Sequence, residues 1–204
     1  NAYASILGSI TSKQLPAFVE GIINKYNRSG PLYTTYPTAL EFSPMPEGLE
    51  TKILQEREAD APLSLYFHIP FCRHLCYYCA CNKIITKKNS DAGDYLEYLM
   101  AEIKHKRSLL KTPADRKNPL VKQLHFGGGT PTFLQDNELI KLWEFLQTQF
   151  EFLPEDQGDY SIEIDPRELG DETLTVLRNL GFNRVSLGVQ DLDEKVQIAV
   201  NRIN

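Results

Sequence analysis

Hydrophobic and polar residues alternate along four segments of the chain, in the way that is typical of β-strands with one covered face. The segments are Leu63–Pro70, Val121–Gly127, Tyr160–Asp165 and Arg184–Gln190. In the first segment the apolar residues Leu65, Phe67 and Ile69 share one face, and the polar residues share the other. Because the other three segments divide in the same way, we predict strands with one apolar and one polar face.

A helix-length segment follows each predicted strand. These segments span about residues 91–110, 136–150, 171–180 and 193–201. An Asp stands at or near the start of each one, as an N-cap would, and Gly181 follows the third, as a C-cap would. Crossovers of this length connect parallel strands, whereas an antiparallel sheet with one solvated face needs only short turns. The sequence therefore predicts an α/β fold of four successive βα units with right-handed crossovers.

The polar faces of the predicted strands indicate an open sheet or barrel. A closed eight-stranded barrel fills its interior with branched aliphatic side chains, whereas these strands would place polar groups there. We therefore expect a wide or open barrel over residues 61–204, with a ligand in its interior. Residues 1–60 form a predicted extension, with a helix from about Ser12 to Tyr26 and then an irregular segment rich in turn-forming residues.

The composition argues against several classes of protein. The 204 residues carry a formal charge of -5, without the basic excess or stripe that binds nucleic acid. No apolar run approaches the ~20 residues of a membrane span. The first ten residues lack the basic stretch of a signal peptide. We therefore expect neither nucleic-acid binding, nor a membrane span, nor export.

All four cysteines, Cys72, Cys76, Cys79 and Cys81, lie within ten positions directly after the first predicted strand. A disulfide framework would spread its cysteines along the chain, so the clustering favours a metal or redox centre in a reducing cytoplasm. The C-x3-C-x2-C spacing lets three thiolates hold one iron–sulfur cluster and leave its fourth iron open. A zinc knuckle with Cys81 as fourth ligand is the alternative, although zinc sites usually pair two arms across a longer spacer.

Further candidate groups stand at the ends of the other three predicted strands. Gly127-Gly128-Gly129-Thr130-Pro131-Thr132 follows the second strand and would let a ligand approach the backbone closely. Glu163 and Asp165 end the third strand, where either could accept an ammonium group. Gln190 ends the fourth strand, and Arg202 follows the next helix. Each feature alone is typical of a turn, a cap or a surface, but βα folds bind their ligands at this edge of the sheet.

These motifs resemble those of the radical S-adenosylmethionine (SAM) superfamily and, more narrowly, of oxygen-independent coproporphyrinogen III oxidases. The resemblance runs from about residue 25 to the end of the chain. The matching segments are residues 25–27, 29–31, 36–39, 66–72, 79–83, 127–132, 163–167, 188–191 and 200–202. By this resemblance the barrel is the first four βα units of an open (βα)6 TIM-like barrel.

The resemblance also implies the cofactors and the residues that hold them. A [4Fe-4S] cluster would be bound by Cys72, Cys76 and Cys79, and SAM would chelate its open iron. The residues that would line the SAM pocket are Tyr66, Gly128, Gly129, Thr130, Glu163, Gln190 and Arg202. Tyr66 and His68 would be the catalytic residues, although His68 on its own is equally compatible with a hydrogen-bonded core histidine.

The implied reaction converts two propionates of coproporphyrinogen III to vinyl groups and gives protoporphyrinogen IX in haem biosynthesis. A 5′-deoxyadenosyl radical derived from SAM would take hydrogen from the β-carbon of each propionate. Carbon dioxide and one further electron would then leave. The implied partners are coproporphyrinogen III, an external electron donor and an external electron acceptor.

Two departures from the family pattern stand beside this resemblance. Leu32 occupies a position where the family commonly has Arg, which bears on the anchoring of a propionate. The chain also supplies four βα units where the family has six, so we expect a fragment of a longer protein. The alternatives are a haem chaperone of the same superfamily and a catalytically inactive fragment that binds a cluster. Cys81 and residues 25–39 favour the oxidase over the chaperone.

Overall fold

The computed structural model describes residue 25, residue 38 and residues 41–204. The chain divides into two compact units, Asn1–Met45 and Pro46–Asn204. The predicted helix from Ser12 to Tyr26 lies outside the described residues apart from residue 25, as does most of the irregular segment. The predicted boundary at residue 60, which rests on the start of the first strand, stays a prediction. Every element named below belongs to the second unit.

Strands and helices alternate along the second unit. In chain order they are α1 (Leu49–Glu56), β1 (Leu63–Ile69), β2 (Phe71–Cys72), β3 (Ile84–Ile85), α2 (Ser90–Leu109), β4 (Leu120–Gly128), α3 (Asp136–Gln149), β5 (Glu151–Phe152), β6 (Asp159–Ile164), α4 (Thr173–Leu180), β7 (Arg184–Leu187) and α5 (Glu194–Ala199). Short 3-10 helices, Pro131–Phe133 and Pro166–Glu168, follow β4 and β6. The four predicted strands and their helices are confirmed to within a few residues, whereas α1, β2, β3 and β5 were not predicted. In the described part of the chain, no helix has both the length and the apolar composition of a membrane span.

The helix ends agree in part with the expected caps. Asp193 caps α5, where its carboxylate accepts the Lys195 N–H at 2.8 Å. Gly181 ends α4 with φ +99°, a conformation that suits glycine. At α3 the cap is Gln135, whose N–H donates to the Glu138 carboxylate at 2.8 Å. The helix ends were therefore predicted more accurately than the identity of the residues that cap them.

The main sheet is parallel and has the order β1-β4-β6-β7. The short strand β5 lies outside this order and pairs with the start of β4. Its register places Ile69 opposite Gly128 and Ile164 opposite Leu187, so all four strands end at one edge. A separate two-stranded sheet joins β2 to β3. Because β2 ends at Cys72 and β3 starts at Ile84, this small sheet closes the base of the cysteine-bearing loop.

The core lies between the apolar face of the sheet and the helices. Phe126 on β4 is fully buried, and its ring meets the rings of Phe67 and Phe182 edge-on at 5.4 and 5.2 Å. The predicted division into apolar and polar faces is confirmed for β1, β4 and β6. On β7, however, Val185 and Leu187 are 46% and 54% exposed. The reason is that β7 is the edge strand and is followed by a helix of only six residues.

Candidate functional site

The strand ends of β4, β6 and β7 surround one cavity of about 240 Å³ at the carboxyl edge of the sheet. Six of the residues predicted for a SAM pocket line it: Gly128, Gly129, Thr130, Glu163, Gln190 and Arg202. Cys79 and Cys81 contribute from the cysteine loop. The fold therefore brings together residues that lie up to 124 positions apart in the sequence, from Tyr78 to Arg202.

Two glycines let the end of β4 approach β1 and the first cysteine. Gly128 has φ +118°, and a Cβ there would lie 2.9 Å from the His68 ring. A Cβ on Gly129 would lie 2.7 Å from the Phe71 carbonyl oxygen and 2.9 Å from Cys72 Sγ. No side chain fits at such distances, so both positions require glycine. The approach also places the Thr130 hydroxyl 3.6 Å from Cys72 Sγ.

Glu163 turns its carboxylate toward the cavity and is held from two sides. Its Oε2 accepts the Gly128 N–H at 3.2 Å, and its Oε1 lies 3.5 Å from His125 Nε2. Gln190 reaches the same cavity from a strained backbone with φ +71°, a conformation that is uncommon outside glycine and recurs at functional sites. The cavity therefore offers a carboxylate for a cation and an amide for a neutral polar group.

The three predicted cluster ligands, Cys72, Cys76 and Cys79, line a second cavity of about 50 Å³ beside the first. All four cysteines are free thiols. Cationic side chains also line this cavity: Arg73, Lys83, Arg167 and Arg202. Among the described residues, no three Cys, His, Asp or Glu side chains converge on a point where they could hold a single metal ion. A four-iron cluster does not need such convergence, because each cysteine binds a different iron atom.

This donor set fits an iron–sulfur cluster. Three thiols on one loop are the ligands that such clusters use. Against these four cations stand two carboxylates in the same lining, Asp165 and Glu168, so an excess of positive charge remains that suits a group whose thiolates and sulfides carry negative charge. Gly129 leaves the space beside Cys72 free of a side chain. The residues present are therefore compatible with the cluster that the sequence predicts.

The cysteine thiols differ in how readily they ionise. Burial raises the pKa of Cys72, and the hydrogen bond with the Thr130 hydroxyl offsets part of that effect. Burial also acts to raise the pKa of Cys79, but the N–H and thiol of Cys81 and the ammonium of Lys83 outweigh it and lower the pKa. The pKa of Cys81 is raised by burial and by its hydrogen bond with Cys79. Lys83 Nζ also donates to the Cys79 carbonyl at 2.9 Å, which ties this end of the loop together.

Ion pairs and hydrogen bonds fasten the cysteine loop to the rest of the fold. Arg73 Nε lies 2.8 Å from Oε2 of Glu168, whose side chain is buried in the 3-10 helix after β6. Asn201 Nδ2 donates to the Leu75 carbonyl at 2.7 Å from the segment after α5. The loop is thus held by elements that follow β6 and β7 as well as by β1.

Tyr66 and His68 lie together on the polar face of β1. Tyr66 Oη is 2.9 Å from His68 Nδ1, and His68 Nε2 is 2.8 Å from the Asn82 carbonyl oxygen. Because a carbonyl oxygen only accepts, Nε2 carries a hydrogen, and Nδ1 of the neutral ring can accept from the tyrosine hydroxyl. Burial raises the pKa of Tyr66, and the charge of Glu163 adds to this effect. Tyr66 does not line the 240 Å³ cavity but another of about 250 Å³, which is lined by His125 and, at the starts of β6 and β7, by Asp159 and Arg184.

Two cations of the site were not singled out as site residues from the sequence. Arg167 Nη2 lies 3.7 Å from Cys76 Sγ, and Lys83 binds carbonyl groups of the cysteine loop. Both belong to segments that resemble the family, but charged residues in loops are usually solvated. The signal that could have identified Arg167 is its position two residues after Asp165, at the end of a strand that carries site residues.

The chain is similar to proteins of one superfamily. The family model of the radical SAM superfamily matches residues 66–204. The protein named oxygen-independent coproporphyrinogen III oxidase from Pseudomonas aeruginosa is 50% identical over 187 residues, which are 89% of this chain and 39% of that protein. The Escherichia coli protein of that name is 49% identical over 183 residues, 89% of this chain and 38% of that protein. A shorter protein of that name from Mannheimia haemolytica is 44% identical over 145 residues, 71% of this chain and 94% of that protein.

A solved structure agrees with these similarities. The structure of coproporphyrinogen III oxidase from Escherichia coli, a radical SAM enzyme, matches with a TM-score of 0.76 and 43% identity over 91% of this chain. The chain spans 39% of that structure's length, and the predicted parallel α/β fold of a TIM-like barrel is thereby confirmed. The cofactors of this superfamily are a [4Fe-4S] cluster and SAM. The chain belongs to the radical SAM superfamily and, within it, to the oxygen-independent coproporphyrinogen III oxidases.

Proposed function

We propose that this chain provides the cluster- and SAM-binding part of an enzyme that converts coproporphyrinogen III to protoporphyrinogen IX without oxygen, in haem biosynthesis. The observation that carries the proposal is the meeting of residues from three strand ends in one cavity, beside three free thiols. The name shared by the relatives from three bacteria supports the choice of substrate.

Cys72, Cys76 and Cys79 would ligate the [4Fe-4S] cluster. When bound, the reduced cluster and SAM supply a carbon-centred radical that can remove hydrogen from an unactivated C–H bond. The chain's own contribution is to fix the geometry, because the loop is held at both ends by β2 and β3. Cys81 is left over as a hydrogen-bond partner of Cys79 rather than a ligand.

Glu163 would accept the ammonium group of SAM. Its two fixed contacts, with the Gly128 N–H and with His125, orient the carboxylate before the ligand arrives, which reduces the entropy lost on binding. Gln190 and Thr130 would supply neutral hydrogen-bonding groups, and Gly128 and Gly129 would let the ligand reach the backbone. Arg202 would place positive charge at the same wall.

Tyr66 and His68 would act on the substrate side of this site. Their mutual hydrogen bond and the His68 bond to Asn82 fix the tyrosine hydroxyl in one place. A fixed hydroxyl on which the charge of Glu163 acts can orient a reactant.

The reaction balances with two external partners. For each propionate, one C–H bond and one C–C bond break, carbon dioxide leaves and a C=C bond forms. An external donor supplies the electron that generates each radical, and an external acceptor takes the electron that remains on the substrate.

We also propose a cytoplasmic location, because free clustered thiols persist where the surroundings are reducing.

The decisive experiment exchanges the matching segment of the Escherichia coli oxidase for this chain. The chimera and the unaltered oxidase are reconstituted anaerobically with iron and sulfide. They are then supplied with SAM, dithionite, coproporphyrinogen III and a cell extract as the source of electron acceptor. We expect the chimera to remove two carboxyl groups, resolved by chromatography, and the matched variant Cys76→Ser in the chimera to remove none. A chimera that carries the cluster and binds SAM but leaves the substrate intact would refute the oxidase proposal.

A further inference from the structure

Two arginines and one aspartate surround the sulfur of Cys76. Arg202 Nη1 lies 3.5 Å from Cys76 Sγ, and Arg167 Nη2 lies 3.7 Å from it. Asp165 bridges the two guanidinium groups, at 3.2 Å from Arg202 and 2.7 Å from Arg167. Among the described residues, Cys76 is therefore the only one of the three predicted ligand cysteines whose sulfur lies within hydrogen-bonding distance of two guanidinium groups.

This arrangement is buried and tightly bonded. The side chains of Asp165, Arg202 and Arg167 are 7%, 10% and 17% exposed. Burial acts to raise the pKa of Asp165, but the hydrogen bonds from Arg167 and the charge of Arg202 outweigh it and lower the pKa. Asp165 is therefore ionised at neutral pH, and the two cations and one anion leave one net positive charge beside the Cys76 sulfur.

Arg167 differs from an arginine that only pairs with a carboxylate. Its backbone N–H and Nε both bond Asp165, at 3.1 and 3.0 Å, which fixes the side chain along its whole length. Its outer nitrogen Nη2 donates to Asp165 Oδ2 at 2.7 Å and also lies 3.7 Å from the Cys76 sulfur. Arg184 forms the same kind of bidentate pair with Asp159, in which Nε and Nη2 each lie 2.9 Å from an oxygen, but no thiol is among its hydrogen-bond partners in the described part of the chain. Arg202 is anchored separately through the Gly188 carbonyl.

We propose that Arg167, oriented by Asp165, is a positioning residue that raises the reduction potential of the cluster by donating a hydrogen bond to the Cys76 sulfur. Reduction adds one negative charge to the cluster. A nearby cation and an N–H···S bond stabilise the reduced form more than the oxidised form, and such contacts are among the main determinants of cluster potentials. The inference rests on the cluster assigned in the proposed function, but not on the identity of the substrate.

The test is an anaerobic redox titration of the chain reconstituted with iron and sulfide, followed by electron paramagnetic resonance of the reduced cluster. The variants are Arg167→Gln, which removes the charge, and Arg167→Lys, which keeps it on a single donor. Arg184→Gln is the matched control, because it breaks an arginine–aspartate pair at the start of β7, away from the cysteines. Iron content and circular dichroism report whether each variant is folded and loaded.

For Arg167→Gln we expect about a tenfold decrease in the ratio of reduced to oxidised cluster at a fixed potential, which is a shift of about 59 mV for a one-electron couple. Arg167→Lys should recover part of this loss, and Arg184→Gln should change the ratio less than about twofold. A loaded Arg167→Gln variant with the wild-type potential overturns the inference. If that variant takes up no cluster, Arg167→Lys decides, because an unchanged potential there overturns the inference as well. An unmodified chain that binds no cluster overturns both this inference and the cofactor assignment, whereas a failed decarboxylation test with a shifted potential leaves this inference standing.

Discussion

Replacement of Gly129 by alanine tests whether the end of β4 holds the cysteine loop in place. The added Cβ would lie 2.7 Å from the Phe71 carbonyl oxygen and 2.9 Å from Cys72 Sγ. The first neighbour is backbone, and the Gly129 N–H is itself bonded to the Ile69 carbonyl at 2.8 Å. The clash can therefore be relieved only if the loop moves away from the sheet. Overpacking of this kind costs about 1–3 kcal/mol.

We expect Gly129→Ala to lower the free energy of unfolding of the iron-free chain by about 2 kcal/mol. For a chain of this length that corresponds to a decrease of about 4–8 °C in the unfolding temperature. The variant should also bind less iron after reconstitution, because the first cysteine is displaced. Urea unfolding followed by circular dichroism and an iron assay measure the two effects.

The matched control is Gly93→Ala in α2. A Cβ there would meet only Glu138 at 3.9 Å, and alanine favours a helix over glycine by about 1 kcal/mol. The control should therefore be neutral or slightly more stable, with full iron content. If Gly129→Ala matches this control in both measurements, the close approach of β4 to the cysteine loop does not exist as described.

Three further changes give distinct expected outcomes. Because the folded state holds the pKa of Asp165 below its usual value, the ionised carboxylate stabilises the fold above about pH 4, and this contribution is lost as the pH falls through the lower, folded-state pKa. Asp165→Asn should therefore flatten the acid side of a plot of unfolding free energy against pH, and an unchanged acid slope would contradict the assigned ionisation. Phe126→Ala should lower the free energy of unfolding by about 3–5 kcal/mol, since Phe126 is fully buried between two other phenylalanines. A decrease of less than about 1 kcal/mol in urea unfolding would show that the core is packed differently. Glu163→Gln should weaken SAM binding to the reconstituted chain by about tenfold to a hundredfold in equilibrium dialysis, because a charge-assisted hydrogen bond is lost. An affinity within threefold of the unmodified chain would remove Glu163 from the site.

The fold could be predicted from the sequence because one strong regularity specifies it. Period-two alternation followed by helix-length segments leaves few arrangements other than successive βα units. The short strands β2 and β3 could not be predicted, since two residues are too few to show an alternation of hydrophobic and polar positions. Helix α1 was missed because Leu49–Glu56 follows a segment rich in proline and buries none of its residues. The exposure of Val185 and Leu187 depends on what lies beyond an edge strand, which the strand's own sequence does not encode.

The sequence predicts which residues reach the candidate site, but not which side chains contact each other there. Strand ends converge by topology alone, so Glu163 and Gln190 could be placed in one site without coordinates. The contact of Arg167 with Cys76 could not, because it depends on the 3-10 helix that turns the chain after β6. The separation of Tyr66 from the 240 Å³ cavity is likewise a matter of side-chain direction. Sequence spacing fixes which edge a residue reaches, whereas its neighbours there depend on turns and rotamers.

The contacts of the cysteine loop indicate which properties this chain should carry by itself. The loop is bonded to the sheet edge through Gly129 and Thr130, to the turn after β6 through Glu168, and to the segment after α5 through Asn201. All of these anchors lie within residues 66–204, the range that matches the superfamily. Cluster uptake, cluster potential and SAM affinity should therefore be measurable on this chain. Decarboxylation is different, since the chain spans 39% of the related oxidase structure, and it is properly tested in a protein of full length.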